Sequence, residues 1–365
     1  MTRVLVISGM HRSGTSLVAS LFQRAGVHLG AQLLPPQSDN NPLGFFEDVE
    51  FLEFHQALLH ARGQEILVTR DFVLEPNAVE TQRARELIAA RAQLPLWGWK
   101  DPRTCLVLDF WHALLPDARY LLVYRHPLDV TLSLARRLQV VGFDFYAGLE
   151  AWYAYNRNLL HFAQQHPEIT LLCSSYALVE RIEEFNSLLA EQFNLSLSLH
   201  AALRDEIFQA EQLRRPPHTP VTETLLRAIH PDALLLYDAL QAHAALKHDV
   251  PLQDASAEQN ALAQFVAQLP TPLPPGQPRA LAHLLAATVD PALYERFSAA
   301  HVQQTVELDA QRRAWEQTAQ TREKIIREQS AWALPRLKYL ETLEAHPVVR
   351  ALLRLGILPR AKPEA

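Results

Sequence analysis

Cysteine, glycine and long apolar runs are all scarce in this 365-residue chain. Its two cysteines, Cys105 and Cys173, cannot by themselves build a disulfide framework or a structural zinc site. No stretch approaches the roughly eighteen apolar residues of a membrane span. The apolar run at 4–7 is interrupted by Gly9, His11 and Arg12 and is too short for a signal-peptide core. These absences predict a soluble cytoplasmic protein in a reducing compartment. Glycine numbers 11, against about 25 at average usage, so the places where glycines cluster carry information.

An excess of positive charge is also missing. Lys plus Arg is 34 and Asp plus Glu is 40, a net charge of −6. That excludes a protein whose main task is coating nucleic acid or an anionic membrane, yet it leaves room for a small basic pocket. The apolar share of 48% permits a sizeable core and excludes wholesale disorder.

Apolar runs at Arg3–Ser8, Leu96–Lys100, Arg119–Tyr124 and 169–174 read as strands, and Thr15–Arg24 and 128–138 as helices. Strands alternating with helices predict a three-layer α/β/α fold with a central parallel sheet, P-loop-type on account of the Gly-Met-His-Arg-Ser-Gly-Thr-Ser spacing at 9–16, followed by a mainly helical C-terminal extension. Beyond residue 200 the β pattern fades. Residues 222–247 and 257–268 read as helices, 269–278 as a stiff proline-rich connector, 291–332 as polar helix, and the segment from Pro335 as basic and partly amphipathic. The expected organisation is an α/β domain at 1–200, a helical elaboration at 201–268 and a helical extension at 279–365. No internal repeat is present.

The first chemical constellation is Gly-Met-His-Arg-Ser-Gly-Thr-Ser at 9–16, between a strand and a helix. The spacing is that of a phosphate-cradling loop, with Thr15 where nucleotide-triphosphate binders carry lysine. Gly9 and Gly14 let the backbone wrap an anion, and Arg12 adds charge. A plain strand-to-helix turn is the bland alternative, which glycine scarcity makes the poorer one. The second constellation follows Arg119–Tyr124: Arg125 at a strand's end and Ser133 two helical turns on, able to grip one phosphate from two sides. Asp129 suits the dipole of the same helix.

Arg12-Ser13-Gly14-Thr15-Ser16 resembles the 5′-phosphosulfate loop of the sulfotransferase family. Arg125, Pro127, Asp129 and Ser133 resemble that family's 3′-phosphate motif. Trp99-Lys100-Asp101-Pro102-Arg103 is similar to the Lys-Asp-Pro segment of tyrosylprotein sulfotransferases and many bacterial relatives. The resemblance covers about the first 200 residues. It implies 3′-phosphoadenosine 5′-phosphosulfate (PAPS) as sulfuryl donor, with Arg12, Ser13, Gly14, Thr15, Ser16, Arg125 and Ser133 holding the nucleotide. From 100 to 137 six basic residues face four aspartates, a local excess of +2 in keeping with such a ligand.

Sulfuryl transfer needs an in-line nucleophile, cations on the charged oxygens and a base for the acceptor. Arg12 and Lys100 are the cationic candidates. Glu47 is the candidate base: it follows a glycine turn and an aromatic pair able to raise its pKa, and by similarity the family uses a glutamate downstream of the loop. Glu47, Glu50 and Glu53 also read as the acidic stripe of a helix start, and Asp101 and His55 stand in reserve. No metal is expected.

The leading expectation is a PAPS-dependent sulfotransferase acting on a hydroxyl or amine of a glycan, lipid-linked sugar or small molecule. The alternatives are a P-loop small-molecule kinase and a non-catalytic nucleotide-binding or scaffold protein. No nucleic-acid partner is expected. The C-terminal helices could support an oligomer, and their basic face reads as a solvated docking edge in preference to a membrane contact.

Overall fold

Four parallel strands form the sheet among the described residues: β1 (Arg3–Ser8), β2 (Leu96–Lys100), β3 (Arg119–Tyr124) and β4 (Thr170–Ser174), in the order β2-β1-β3-β4. In the computed structural model the described residues are 3–36, 44–138, 143–207, 216–254, 256–270, 272–274 and 276–290, with single positions 317, 321, 322, 324 and 338 beyond. The helices are α1 (Thr15–Arg24), α2 (Val49–His60), α3 (Ala78–Ala89), α4 (Leu108–Leu114), α5 (Pro127–Leu138), α6 (Phe145–Gln165), α7 (Ser175–Glu180), α8 (Ile182–Phe193), α9 (Ala201–Ile207), α10 (Pro220–Ile229), α11 (Pro231–His243), α12 (Ala257–Ala267) and α13 (Gln277–Val289). A 3₁₀ turn, Pro102–Leu106, follows β2.

The strands lack polar–apolar alternation because both faces are covered. Leu5, Ile7, Leu121, Val123 and Leu171 join a core with α1, α7 and α8. Val6, Tyr120, Leu122 and Tyr124 point the other way, into a second core with α2, α4, α6 and the helices from α10 onward. A period of two thus sends successive residues of one strand into different cores, and the three-layer α/β/α expectation holds.

The strand order decides where a ligand can sit. Chain connections leave β1 in one direction to β2 and reach β3 on its other side, which makes the β1/β3 junction the topological switch point. In open α/β sheets the crevice outside the carboxyl ends of the strands at such a point receives ligands. The loop at 9–14 and Arg125 both emerge there, and Lys100 ends the neighbouring β2.

The expected helix at 222–247 is instead two helices, broken at His230 (φ −149°, ψ 72°). Pro231 has no N–H to continue the first helix and disfavours helical backbone at the residue before it. Chain contacts divide the protein into residues 1–298 and 299–365, so α10 to α13 belong to the same unit as the sheet. The reason is packing: α12 and α13 lie against α10, and α11 and α13 against α6. The expected helix at 291–332 and the basic segment from Pro335 lie outside the described residues, apart from the five single positions, which are helical. Among the described residues no helix is long and apolar enough to cross a membrane.

Candidate active site

The loop between β1 and α1 is shaped by its two glycines. A Cβ on Gly9 would lie 2.1 Å from the Val123 carbonyl oxygen, so this backbone can run against β3 only without a side chain. Gly14 precedes α1 with φ 88°. Arg12 is also left-handed (φ 69°), a strained choice for a non-glycine residue. Helix α1 has no side-chain N-cap and no acid in its first turn. The Ser13 hydroxyl is buried without a hydrogen-bond partner. Uncapped amides, an unpartnered hydroxyl and the positive end of a helix dipole together suit an anion.

Lys100 connects this loop to the candidate base. Its Nζ donates to Ser16 Oγ at 3.1 Å, to the Phe45 carbonyl at 3.1 Å and to Glu47 Oε1 at 2.7 Å, which uses all three ammonium protons. Lys100 and Glu47 are both buried. Phe46, just before Glu47, has φ 56°, and Asp48, just after, caps α2 by accepting from Glu50 N. The glutamate is therefore held between a left-handed residue and a helix start. Residues 41–43 of its segment lie outside the described residues. The second oxygen, Oε2, lies 4.0 Å from Arg103 Nη1.

Arg125 and Ser133 meet the loop from the other side. Arg125 Nη1 donates to the Arg12 carbonyl at 3.3 Å, and Arg12 Nε donates to Ser133 Oγ at 2.9 Å. Arg12 thus reaches toward the β3 side, not toward Lys100. Burial lowers the Arg12 guanidinium to about 10, helped by the charges of Arg137 and Arg125. Three arginines gathered so closely raise the local positive potential, as an anion pocket requires. Of the local positive excess, Arg136 is spent on Asp290 and Arg119 on the Asp117 carbonyl, while Arg137 faces the site and stacks over Phe45.

Residues 5–184 match the family model described as sulfotransferase family. The chain carries a sulfotransferase-family domain. Among solved structures it is similar to the sulfotransferase domain from the curacin biosynthetic pathway, with 17% identity over 75% of this chain and 99% of that one, TM-score 0.36. It is similar also to the sulfotransferase domain of the Synechococcus PCC 7002 olefin synthase (18% identity, 74% and 96% covered, TM-score 0.37). A third likeness is to sulfotransferase STF1 from Mycobacterium tuberculosis H37Rv (15% identity, 66% and 77% covered, TM-score 0.36). At such low TM-scores these likenesses carry no weight for function. Among curated proteins no sequence matches.

Within the sulfotransferase-family domain the reserve bases are already occupied. Trp111 Nε1 donates to His55 Nε2 at 3.0 Å, leaving Nδ1–H of the imidazole to donate to Asp101 Oδ2 at 3.1 Å. Asp101 Oδ1 accepts from Arg103 N and Arg103 Nη1 and so starts the 3₁₀ turn. Although burial alone would raise it, the charge of Arg103 and the hydrogen bond from His55 keep this carboxyl far below the usual range. Both residues brace the turn that carries Arg103.

Several residues that short-range spacing does not single out join the site. Arg103, inside the Lys-Asp-Pro-Arg run, was open to notice. His11 is buried with Nε2 unbonded and its ring edge-on to Tyr155, whose hydroxyl is also buried without a partner. Burial and the nearby Arg103 charge push the His11 imidazole well below its ordinary range. Tyr176 donates to Asp129 Oδ2 at 2.6 Å and accepts from Arg125 Nε at 2.8 Å. His218 reaches Asp129 Oδ1 at 2.7 Å. Tyr176 and His218 stand 51 and 89 positions away from their partners, beyond any local pattern.

A cavity of about 360 Å³ opens behind the 3₁₀ turn, walled by Phe72, Leu106 and Phe110 with Asp109, Arg157 and His161 supplying polar groups. His126, Asp129 and His218 also come together, with one donor atom of each within 4.8 Å of the others. All three side chains are engaged in hydrogen bonds or ion pairs: His126 Nδ1 accepts from Leu128 N, its Nε2 faces Glu223, and His218 and Asp129 bond each other.

Proposed function

We propose that this sulfotransferase-family chain transfers the sulfuryl group of PAPS to a hydroxyl or amine of a glycan, lipid-linked sugar or small molecule. The observation that carries the reading is Lys100 Nζ, joined at once to Ser16 of the anion loop and to Glu47. A cation that touches both the loop and a buried carboxylate is what in-line transfer needs, because donor charge and acceptor proton must be handled side by side.

The fit of a nucleotide charged at both ends is supported by the uncapped α1, the unpartnered Ser13 hydroxyl and the crowded Arg12, Arg125 and Arg137 charges. Arg12, Ser13, Gly14, Thr15 and Ser16 would hold the 5′ end, and Arg125 with Ser133 the 3′-phosphate. Arg12 would serve both ends, since its backbone is in the loop and its guanidinium reaches Ser133. PAPS supplies an activated sulfuryl group whose bond to the 5′-phosphate oxygen breaks as the acceptor oxygen or nitrogen bonds sulfur. Glu47 Oε2, the oxygen that Lys100 leaves, takes the acceptor's proton. Lys100 and Arg12 steady the negative charge left on the phosphate side. Soluble, cytoplasmic action fits the charge and composition.

Calorimetry with 3′-phosphoadenosine 5′-phosphate, adenosine 5′-phosphate and ATP tests the donor. Binding that is tightest for the 3′-phosphorylated nucleotide, and loss of that preference in Arg125→Ala, is expected. Tighter ATP binding would favour a kinase and overturn the reading.

A further inference from the structure

The 3′-phosphate motif has a weakness of its own making. Asp129 is buried beside Arg125, with Oδ2 3.2 Å from Arg125 Nε. A buried carboxylate is an internal competitor for the phosphate that Arg125 is to receive, and its charge cancels that of the arginine. The structure holds a counterweight on the carboxylate's other oxygen. His218 Nε2 lies 2.7 Å from Asp129 Oδ1, and His218 Nδ1 lies 3.4 Å from Glu223 Oε1. Both ring nitrogens face carboxylate oxygens, which can only accept, so both must donate and the ring is an imidazolium. His218 and Glu223 lie outside the matched residues 5–184. Their placement at the start of α10 comes from the Thr219 capping box, in which Thr219 Oγ1 accepts from Thr222 N and Thr222 Oγ1 accepts from Thr219 N.

We propose that His218, as an imidazolium held between Asp129 and Glu223, is a positioning residue that offsets the Asp129 charge and so keeps Arg125 aimed for the 3′-phosphate of the donor nucleotide. The inference rests on the PAPS reading above. With His218 charged, Arg125, His218, Asp129 and Glu223 sum to zero. With His218 neutral they sum to −1, which repels a phosphate dianion and draws Arg125 toward Asp129. Tyr176 completes the clamp by donating to the oxygen that Arg125 also meets. His218 thereby links a helix of the α10–α13 cap to donor binding.

The other titratable groups around His218 leave it as the one that changes charge in the accessible range. Burial pulls its imidazolium down, but the hydrogen bonds to Asp129 and Glu223 outweigh this and set it at about 9. His126, edge-on to His218, is lowered to about 4 by burial and the His218 charge, so it stays neutral. Burial opposes the ionised forms of Asp129 and Glu223, yet His218 holds both low. Tyr176 and Tyr237 are pushed up by burial, and Arg227 adds a cation beyond Glu223.

The test is calorimetry on the full chain with 3′-phosphoadenosine 5′-phosphate and with adenosine 5′-phosphate, at pH values on both sides of about 9. In the unaltered protein the preference for the 3′-phosphorylated nucleotide should fall as pH rises through that value. His218→Gln keeps a hydrogen-bond donor without the charge. It should lose about tenfold of the preference at neutral pH, and the alkaline step with it, while the affinity for adenosine 5′-phosphate stays. Glu223→Gln, at a partly exposed position, should move the step to lower pH, and it serves if His218→Gln folds poorly. A His218→Gln protein that keeps preference and step overturns the inference and leaves the PAPS reading standing. Equal loss of both nucleotides, or a stoichiometric metal ion in the purified protein held by His126, Asp129 and His218, also overturns it. An unaltered protein with no preference for the 3′-phosphate sinks the PAPS reading first and this inference with it.

Discussion

Arg12 Nε donates to Ser133 Oγ at 2.9 Å, which ties the loop after β1 to the helix after β3 across the switch point of the sheet. The two phosphate motifs are therefore one connected site and not two independent grips. Arg12→Lys should fail to restore what Arg12→Ala loses, because a point charge does not reproduce the planar fork, which donates to Ser133 through Nε and keeps further N–H groups for an anion. Ser133→Ala should weaken binding of 3′-phosphoadenosine 5′-phosphate by about 1 kcal/mol, the usual worth of one hydrogen bond, with a smaller effect on adenosine 5′-phosphate. Calorimetry on the three variants checks both statements.

Glu47 and Lys100 carry a second expectation, in which catalysis and stability separate. Glu47→Gln should keep nucleotide binding and lower turnover by about 10²–10⁴-fold, the range of general base catalysis. Retained turnover would move the base to His11, whose buried Nε2 is unbonded nearby. Lys100→Met takes from the buried Glu47 its 2.7 Å partner and leaves Arg103 at 4.0 Å, and should cost about 3 kcal/mol in denaturant unfolding. The double variant Lys100→Met with Glu47→Leu should recover much of that stability while remaining inactive.

Backbone contact at the loop gives a third. Gly9→Ala would press a methyl group against the Val123 carbonyl at 2.1 Å, so the β1 end must shift away from β3. A loss of about 1–3 kcal/mol is expected, as for other overpacked positions, together with weaker nucleotide binding. Gly14→Ala, strained by φ 88°, should cost about 1–2 kcal/mol. Unfolding curves and calorimetry on the same samples distinguish the two.

Stability should fall off at both ends of the pH scale for identifiable reasons. Burial works against ionised Asp129 and Glu150, but hydrogen bonds from His218 to the first, and from His230 and Arg70 to the second, hold each at about 2. A carboxyl lowered on folding contributes fully above its ordinary value of about 4, and the contribution disappears as pH drops toward 2. His218 is raised on folding, so its contribution is complete below about 6.5 and is lost as pH climbs through about 9. Chemical denaturation across pH should show both limbs. Glu150→Gln should flatten the acid one and His218→Gln the alkaline one.

The strands were legible because burial on both faces removes alternation, leaving runs such as Arg119–Tyr124 that stand out from their surroundings. The loop at 9–16 was legible because its chemistry depends on consecutive residues. The break at Pro231 was available in the sequence, but the apolar pattern on either side masked it. Lys100 meeting Glu47 depends on strand order, which local pattern does not encode. The roles of Tyr176 and His218 depend on helices arriving from far along the chain, and their own neighbours give no hint of them.

The two cores of the sheet divide the molecule unevenly. All the described apolar contacts of α10 to α13 within a core go to the one that holds Val6, Trp99 and Trp152, and none of these helices enters the core of Leu5, Ile7 and Phe22. The helical cap is in this sense a replaceable part: another cap grafted onto one face would leave the core on the opposite face undisturbed. The graft would have obligations of charge: it would have to bring its own cation to Asp129 where His218 now stands and its own donor to Glu150 where His230 now stands, so the freedom to remodel the cap is bounded by these buried partners.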